Sequence, residues 1–389
     1  QEYWEIKNLE INGGTSKPLG LVAGIRAQTT AKKVLNHIVI SDCVIRNTNG
    51  SIKLYESSAI WVGVPGSLYE EKTGLETSFN DVLIENNKIY GSDRNGILVW
   101  TPSGPGPSSQ FKQGLIPSEN VVIRNNYMED IGGDGIIVLG SNKPLVERNV
   151  VKRCCLKVGD TEYGNDGDYN TSSAGIWFHH CSNGIMQYNA VYDCKKLQYN
   201  NDGIAFDFDF NCDNNILQYN YSSNNAGGFL LMMGTATNNI ARYNISENDY
   251  SHVIFCFGST SNKIYNNTIY IDKGASYIIP GGSFYNNIFM CTGSGRMSVQ
   301  NPSSGIFQHN CYVGNWNSSI SDNNAINSDP LFVNPGKGYE NADNFVGYML
   351  QANSPCRKAG AIIENNGGLD IFGNKLPQSS VDLGATQNN

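Results

Sequence analysis

IENN (84–87) returns as IRNN (123–126), VERN (146–149), MQYN (186–189), LQYN (217–220), ARYN (241–244), IYNN (264–267), FYNN (284–287) and FQHN (307–310). The closing asparagines, from Asn87 through Asn126, Asn149, Asn189, Asn220, Asn244, Asn267 and Asn287 to Asn310, are separated by 39, 23, 40, 31, 24, 23, 20 and 23 residues. A unit of about 23 residues, lengthened in places by insertions, is the mark of a solenoid, whose units bury a core only by stacking.

A second segment recurs between these phrases: SAIWVG (58–63), NGILVW (95–100), DGIIVL (134–139), AGIWFH (174–179), DGIAFD (202–207) and GGFLLM (227–232). Its apolar residues alternate at period two, which is strand periodicity, and the chain has too many glycines and too few alanines and leucines for a helical solenoid. Aligned on the glycine, the segments predict an inward column of Ile97, Ile136, Ile176, Ile204 and Phe229 and a second of Val99, Val138, Phe178, Phe206 and Leu231. Like residues then stack at about 4.8 Å per coil, and the asparagines form an internal amide ladder at a sharp turn.

Composition agrees. The chain has 389 residues, of which 42 are glycine and only 16% are charged, and glycine and asparagine suit tight turns with left-handed backbone angles. The net charge is −8 and no basic cluster interrupts the chain, which argues against nucleic acid or anionic membrane as a partner. No apolar run is long enough for a membrane-spanning helix. The chain opens on Gln1 and enters the strand-like YWEIKNLEI, so either a leader has been removed or the sequence starts within a longer protein. Ten cysteines invite a disulfide framework, but a core of this size does not need one. Cys154 and Cys194 each follow a ladder asparagine by five residues, and Cys181 and Cys212 hold equivalent places before Ile185 and Ile216. The simplest expectation is reduced thiols stacked as small buried side chains, with no zinc-type spacing.

The run of asparagine phrases, together with the tail SDPLFVNP…LQANSPCRKAG…DIFGN…VDLGA, resembles the right-handed parallel β-helix repeat proteins among secreted bacterial polysaccharide-degrading enzymes. The resemblance implies an all-β, right-handed parallel β-helix of roughly 10–12 coils with loop insertions forming a groove. Residues 1–389 would be one domain, with 330–389 as a C-terminal capping or tail region. It also implies a polysaccharide or oligosaccharide substrate and a secreted, periplasmic or cell-surface location. The scaffold carries many chemistries, so residue-level arguments must choose among them.

Four insertions flank the glycine-bearing strands: roughly 64–79, 101–118, 155–173 and 195–201. Long loops gathered at one strand column read as the walls of a groove. On the outward side of that column the glycine alignment gives Leu98, Ile137, Trp177 and Ala205, then Trp100, Leu139, His179 and Asp207, with Asp209 one step further. Asp134 and Asp202 share a turn column before the glycines. Paired carboxyls suit glycosidic cleavage, one as acid and one as base or nucleophile, and indoles suit stacking on sugar rings. The candidate catalytic residues are therefore Asp207, Asp209, Asp202, Asp134 and His179, with Trp100, Trp177 and Arg94 as substrate-binding residues. Asp134 and Asp202 would lie two coils apart, about 9.5 Å, and Asp207 and Asp209 about 7 Å apart on one strand. Both spacings suit inversion of configuration. The plainer reading of Asp134 and Asp202 is a turn aspartate bonding its own backbone. His180, with inward parity, reads as a satisfied turn histidine.

Asp160, Glu162, Asp166 and Asp168 crowd one insertion, and NDGDYN has glycine-punctuated calcium-loop spacing without the full twelve-residue pattern. Three functions follow. A glycoside hydrolase needs no cofactor. A calcium-dependent polysaccharide lyase would draw its ion from that loop and its base from Lys195, Lys196 or Arg94. A non-catalytic glycan-binding stalk would have no use for acidic residues among the aromatics of DGIAFDFDF. Pectin-degrading hydrolases of this fold carry NTD, DD, GHG and RIK signatures, which are missing here as a set.

Overall fold

The computed structural model describes residues 2–14, 20–29, 31–65, 77–101, 116–160, 172–257, 260–338 and 345–387. By contacts the chain divides into two compact units, residues 1–215 and 216–389.

In the first unit, six coils each contribute one strand to each of three parallel sheets. One sheet carries Val34–Ser41, Ser78–Glu85, Ser118–Arg124, Leu145–Glu147 and Ile185–Gln187 after a first strand at Trp4–Lys7. The asparagine phrases lie at its edge. A second sheet follows directly, and the third holds Ala23–Gln28, Ser58–Gly63, Asn95–Trp100, Ile136–Leu139, Ala174–His179 and Ile204–Phe208. Each sheet sends one or two apolar residues per coil into the core. Ile40, Ile84, Ile123, Val146 and Met186 stack from the first sheet, and Ile45, Ile89, Met128, Val151 and Val191 from the second, all fully buried. Each such side chain is worth at most about 1.5–3 kcal/mol of burial, so the stack as a whole carries the fold.

The ladder forms as the phrase predicts. Asn87 Nδ2 donates to Asn126 Oδ1, Asn126 to Asn149 and Asn149 to Asn189, at 2.9, 2.9 and 3.0 Å. The residue before each rung explains the rest of the phrase: Asn86, Asn125, Arg148 and Tyr188 all have φ between 55° and 57°. That left-handed corner turns the chain from the first sheet to the second and aims the next side chain inward.

In the second unit five coils supply strands to two sheets and four of them to the third, with rungs Asn220, Asn244, Asn267, Asn287 and Asn310. The last rung is closed by a carboxylate. Asp322 Oδ2 accepts the backbone and side-chain N–H of Asn310 at 3.0 and 2.9 Å and the Tyr312 hydroxyl at 3.1 Å. Residues 345–387 run along these coils: Asn286 Nδ2 donates to Ala361 O, Arg242 Nη1 to Asn365 O, and the Tyr348 hydroxyl to Glu247. Among the described residues there is no α-helix, and no helix is long and apolar enough to cross a membrane.

Candidate active site

The predicted catalytic and substrate-binding residues lie on the strands of the third sheet of residues 1–215 or just beyond their ends, but in a different register. Ile176 pairs with Phe206, Trp177 with Asp207 and Phe178 with Phe208, a slip of two residues from the glycine alignment. The small residue that faces Gly175 is Ala205, whose carbonyl oxygen a Cβ on Gly175 would meet at 2.5 Å. Gly203 instead takes a left-handed turn with φ 68°. The slip is an even number, so every side chain keeps its face. The neighbours change: the inward column runs Ile97, Ile136, Ile176, Phe206, with no place for Ile204, and the outward column places Asp207 beside Trp177 rather than His179. Asp209 takes the place beside His179, with its Oδ2 4.0 Å from His179 Nε2. Asp202 leaves the column of Asp134, which removes the two-coil spacing expected for that pair.

Asp134 is fully buried and saturated with donors. Arg94 Nη1 reaches its Oδ2 at 3.0 Å, while the Ala174 N–H and Trp177 Nε1 donate to Oδ1 at 2.8 and 2.9 Å. Burial pushes this carboxyl up, against the pull of Arg94 and the two hydrogen bonds. Gly133 makes room for the guanidinium, since a Cβ there would lie 1.9 Å from Arg94 Nη1. Arg94 also stacks over Tyr55 at 4.3 Å. At 1% exposure it holds Asp134 and Tyr55 rather than facing solvent. Trp100, 2% exposed, meets the Tyr55 ring edge-on at 6.0 Å and presents no open face. This corner anchors the site.

A pocket of about 30 Å³, the room of one water, lies between Tyr55, Trp177 and the carboxyls of Asp202, Asp207 and Asp209. Asp207 is 5% exposed and its Oδ1 has no hydrogen-bond partner. Its carboxyl is raised well above the usual range, first by burial, then by Asp209, Asp202 and Asp134. Asp209 is pushed to about 7 by burial, with Asp202 and Asp134 adding and the Phe210 N–H opposing. Asp202 is pushed to about 6 by burial and Asp134, against Ser172 and Lys196. Asp202 and Asp209 are the more open of the three, each half-buried. His179 is buried and held well below its ordinary pKa by desolvation and by His180, which keeps it neutral. Like charges crowded in a low dielectric cannot all ionise, so the cluster holds protons near neutral pH.

Tyr55 and Ser172 are site residues that the strand pattern did not single out. Both belong to connecting segments, where insertions erase the register. Of the acidic insertion, Asp160 donates its backbone N–H to Lys157 O; Glu162, Asp166 and Asp168 lie outside the described residues. The expectation of reduced cysteines fails at one pair. Cys154 and Cys194 form a disulfide, because equal register on adjacent coils brings their Cα atoms to 4.7 Å. Cys181 and Cys212 stay as stacked thiols.

A family model described as the right-handed beta helix region matches residues 23–269. The chain is 30% identical over 94% of its length to a lacto-N-biosidase of Bifidobacterium longum subsp. longum, of which it spans 26%. The native structure of a GH136 lacto-N-biosidase from Eubacterium ramulus matches at 26% identity with a TM-score of 0.54, covering 72% of this chain and 46% of that one. The pectate lyase Pel9A matches at 13% identity with a TM-score of 0.57, covering 98% of this chain and 86% of that one, a likeness of fold alone. The chain thus spans about a quarter of the curated relative and about half of the solved one. Stacked parallel coils, the asparagine ladder and the family match agree: the chain belongs to the right-handed β-helix family.

Proposed function

We propose that this chain is the catalytic β-helix of a glycoside hydrolase of lacto-N-biosidase type, which cleaves an oligosaccharide by carboxyl acid–base chemistry. The supporting observation is the cluster of Asp202, Asp207 and Asp209, three carboxyls on one pocket with no arginine or lysine at ion-pair distance among the described residues. A structural carboxylate is satisfied, as Asp134 is by Arg94; these three are left raised and competing for protons, the condition that acid–base catalysis near neutral pH needs.

Accessibility divides the roles. Asp202 and Asp209 are the pair open enough to touch substrate, and both titrate near neutrality, at about 6 and about 7. Asp207, the most buried, keeps its proton. The two open carboxyls share one proton near neutrality, and the reactive form, with Asp209 charged and Asp202 neutral, is the less populated of the two arrangements given their pKa order. Asp202 then donates its proton to the glycosidic oxygen as the carbon–oxygen bond breaks. Asp209 either takes a proton from the attacking water or attacks the anomeric carbon itself. The first route needs carboxyls about 6.5–9.5 Å apart and inverts; the second needs about 5–5.5 Å and retains. The anomer first released, read by proton NMR, decides between them. Trp177 walls the pocket with its indole fixed by Asp134. The disulfide supports an oxidising location outside the cytosol.

A lyase reading would need a base at the pocket. Arg94 is ion-paired with Asp134, Lys196 Nζ is held by the carbonyls of Asn201 and Asp202, and Lys195 is exposed and does not line the carboxyl pocket. Product analysis on an oligosaccharide ending in lacto-N-biose tests the proposal. Release of the free disaccharide, insensitive to calcium chelation, is expected. An unsaturated sugar absorbing in the ultraviolet would establish a lyase instead, and binding without any product would establish a binding module.

A further inference from the structure

Asp209 faces Asp202 and Asp134, both of which resist its ionisation; Arg94 is engaged with Asp134, and Lys196 with the backbone at Asp202. The group favouring the carboxylate is the Phe210 N–H, 2.8 Å from Oδ1; the other polar neighbour is His179, whose Nε2 lies 4.0 Å from Oδ2. What His179 offers depends on its tautomer, because Nε2 carries either a hydrogen or a lone pair. Two further residues decide that. Asn211 Nδ2 lies 2.8 Å from His180 Nε2, and His180 Nδ1 lies 2.7 Å from His179 Nδ1. An amide nitrogen only donates, so His180 Nε2 accepts and its hydrogen sits on Nδ1. That hydrogen is donated to His179 Nδ1, which leaves the His179 hydrogen on Nε2, facing the carboxylate.

We propose that Asn211 and His180 are positioning residues that lock the tautomer of His179, so that it presents an N–H, and never a lone pair, to Asp209. The proposal rests on the reading of Asp209 as the ionised carboxyl. Backbone geometry supports the arrangement. His180 and Asn211 sit at left-handed corners, with φ 51° and 59°, and the His180 N–H donates to Phe210 O at 3.0 Å. Both imidazoles are at least nine-tenths buried, and desolvation keeps His179 neutral, as a relay of single hydrogens requires. The gap of 4.0 Å is longer than a hydrogen bond; such contacts commonly close when substrate expels water.

The first test needs no variant and no substrate. Nitrogen-15 NMR of the histidine side chains in the full chain should show His179 as the Nε2–H tautomer and His180 as the Nδ1–H tautomer; the reverse, or an imidazolium at His179, overturns the proposal. This reading stands even if no glycan is cut, so its failure is distinguishable from failure of the proposed activity. The second test is a double-mutant cycle. His180→Phe should lower kcat/KM about tenfold at and below neutral pH and move the upper limb, that of Asp209, to higher pH. In a His179→Phe background it should add nothing. Full additivity would assign His180 a packing role and overturn the relay.

Discussion

Residues 1–215 and 216–389 each bury a carboxyl, Asp207 in the first and Asp249 in the second, and their surroundings differ. Asp249 is fully buried, yet Ser222 and Ser246 donate to one oxygen at 2.5 and 2.6 Å, and the Asn225 backbone and amide donate to the other at 2.9 and 2.8 Å. Asp207 leaves Oδ1 without a partner among three other carboxyls. Burial raises both, Asp249 to about 7. A raised pKa alone therefore separates nothing. Satisfaction does: a carboxyl wrapped in donors holds coils together, whereas one short of donors and crowded by its own kind is available for proton transfer.

The largest expected effect falls on the first region. Asp209→Asn and Asp202→Asn should each lower kcat about a thousandfold without lowering the melting temperature. Retained activity in both would remove the contrast between the regions. Next comes the disulfide, which closes the 40-residue separation between Cys154 and Cys194 that contains Ser172 and ends shortly before Asp202. Its replacement by serines should cost about 4 kcal/mol in urea unfolding. Asp249→Ala should cost about 3 kcal/mol by stranding buried hydroxyl and amide donors, with kcat unchanged. A loss of activity there would mean that satisfaction does not mark structural carboxyls.

The smallest effect is in the pH dependence of stability. The folded pKa of Asp207 lies above that of an unfolded aspartate, so the stability it contributes is complete below about pH 4 and is lost as pH rises towards the folded value. Asp207→Asn should therefore lose about 1.4 kcal/mol less than the parent chain between pH 5 and pH 6, as read by urea midpoints. Equal slopes would show Asp207 to be ionised in the folded state.

The fold was legible because the asparagine phrase encodes two physical requirements at once, a left-handed corner and an inward amide, and repeats them at a nearly fixed spacing. The site was legible by face and not by neighbour. Period two fixed Asp207, Asp209, His179 and Trp177 on the outer side of their strands. The repeated motif makes Gly203 look equivalent to Gly175, although Ala205 fills that close approach and Gly203 serves a turn. One small residue cannot set a register when two candidates lie two residues apart. Arg94 looked like a groove-edge residue because its partner Asp134 lies 40 positions away. Tyr55 and Ser172 come from connections with no periodicity.

The central claim, that Asp202 and Asp209 exchange protons near neutrality beside a protonated Asp207, is tested most directly by the pH dependence of kcat/KM on a lacto-N-biose-terminated oligosaccharide. A bell with limbs at about 6 and about 7 is predicted, since one carboxyl must be charged and the other neutral. A rate that climbs to an alkaline plateau, or stays flat from pH 5 to 8, would contradict it.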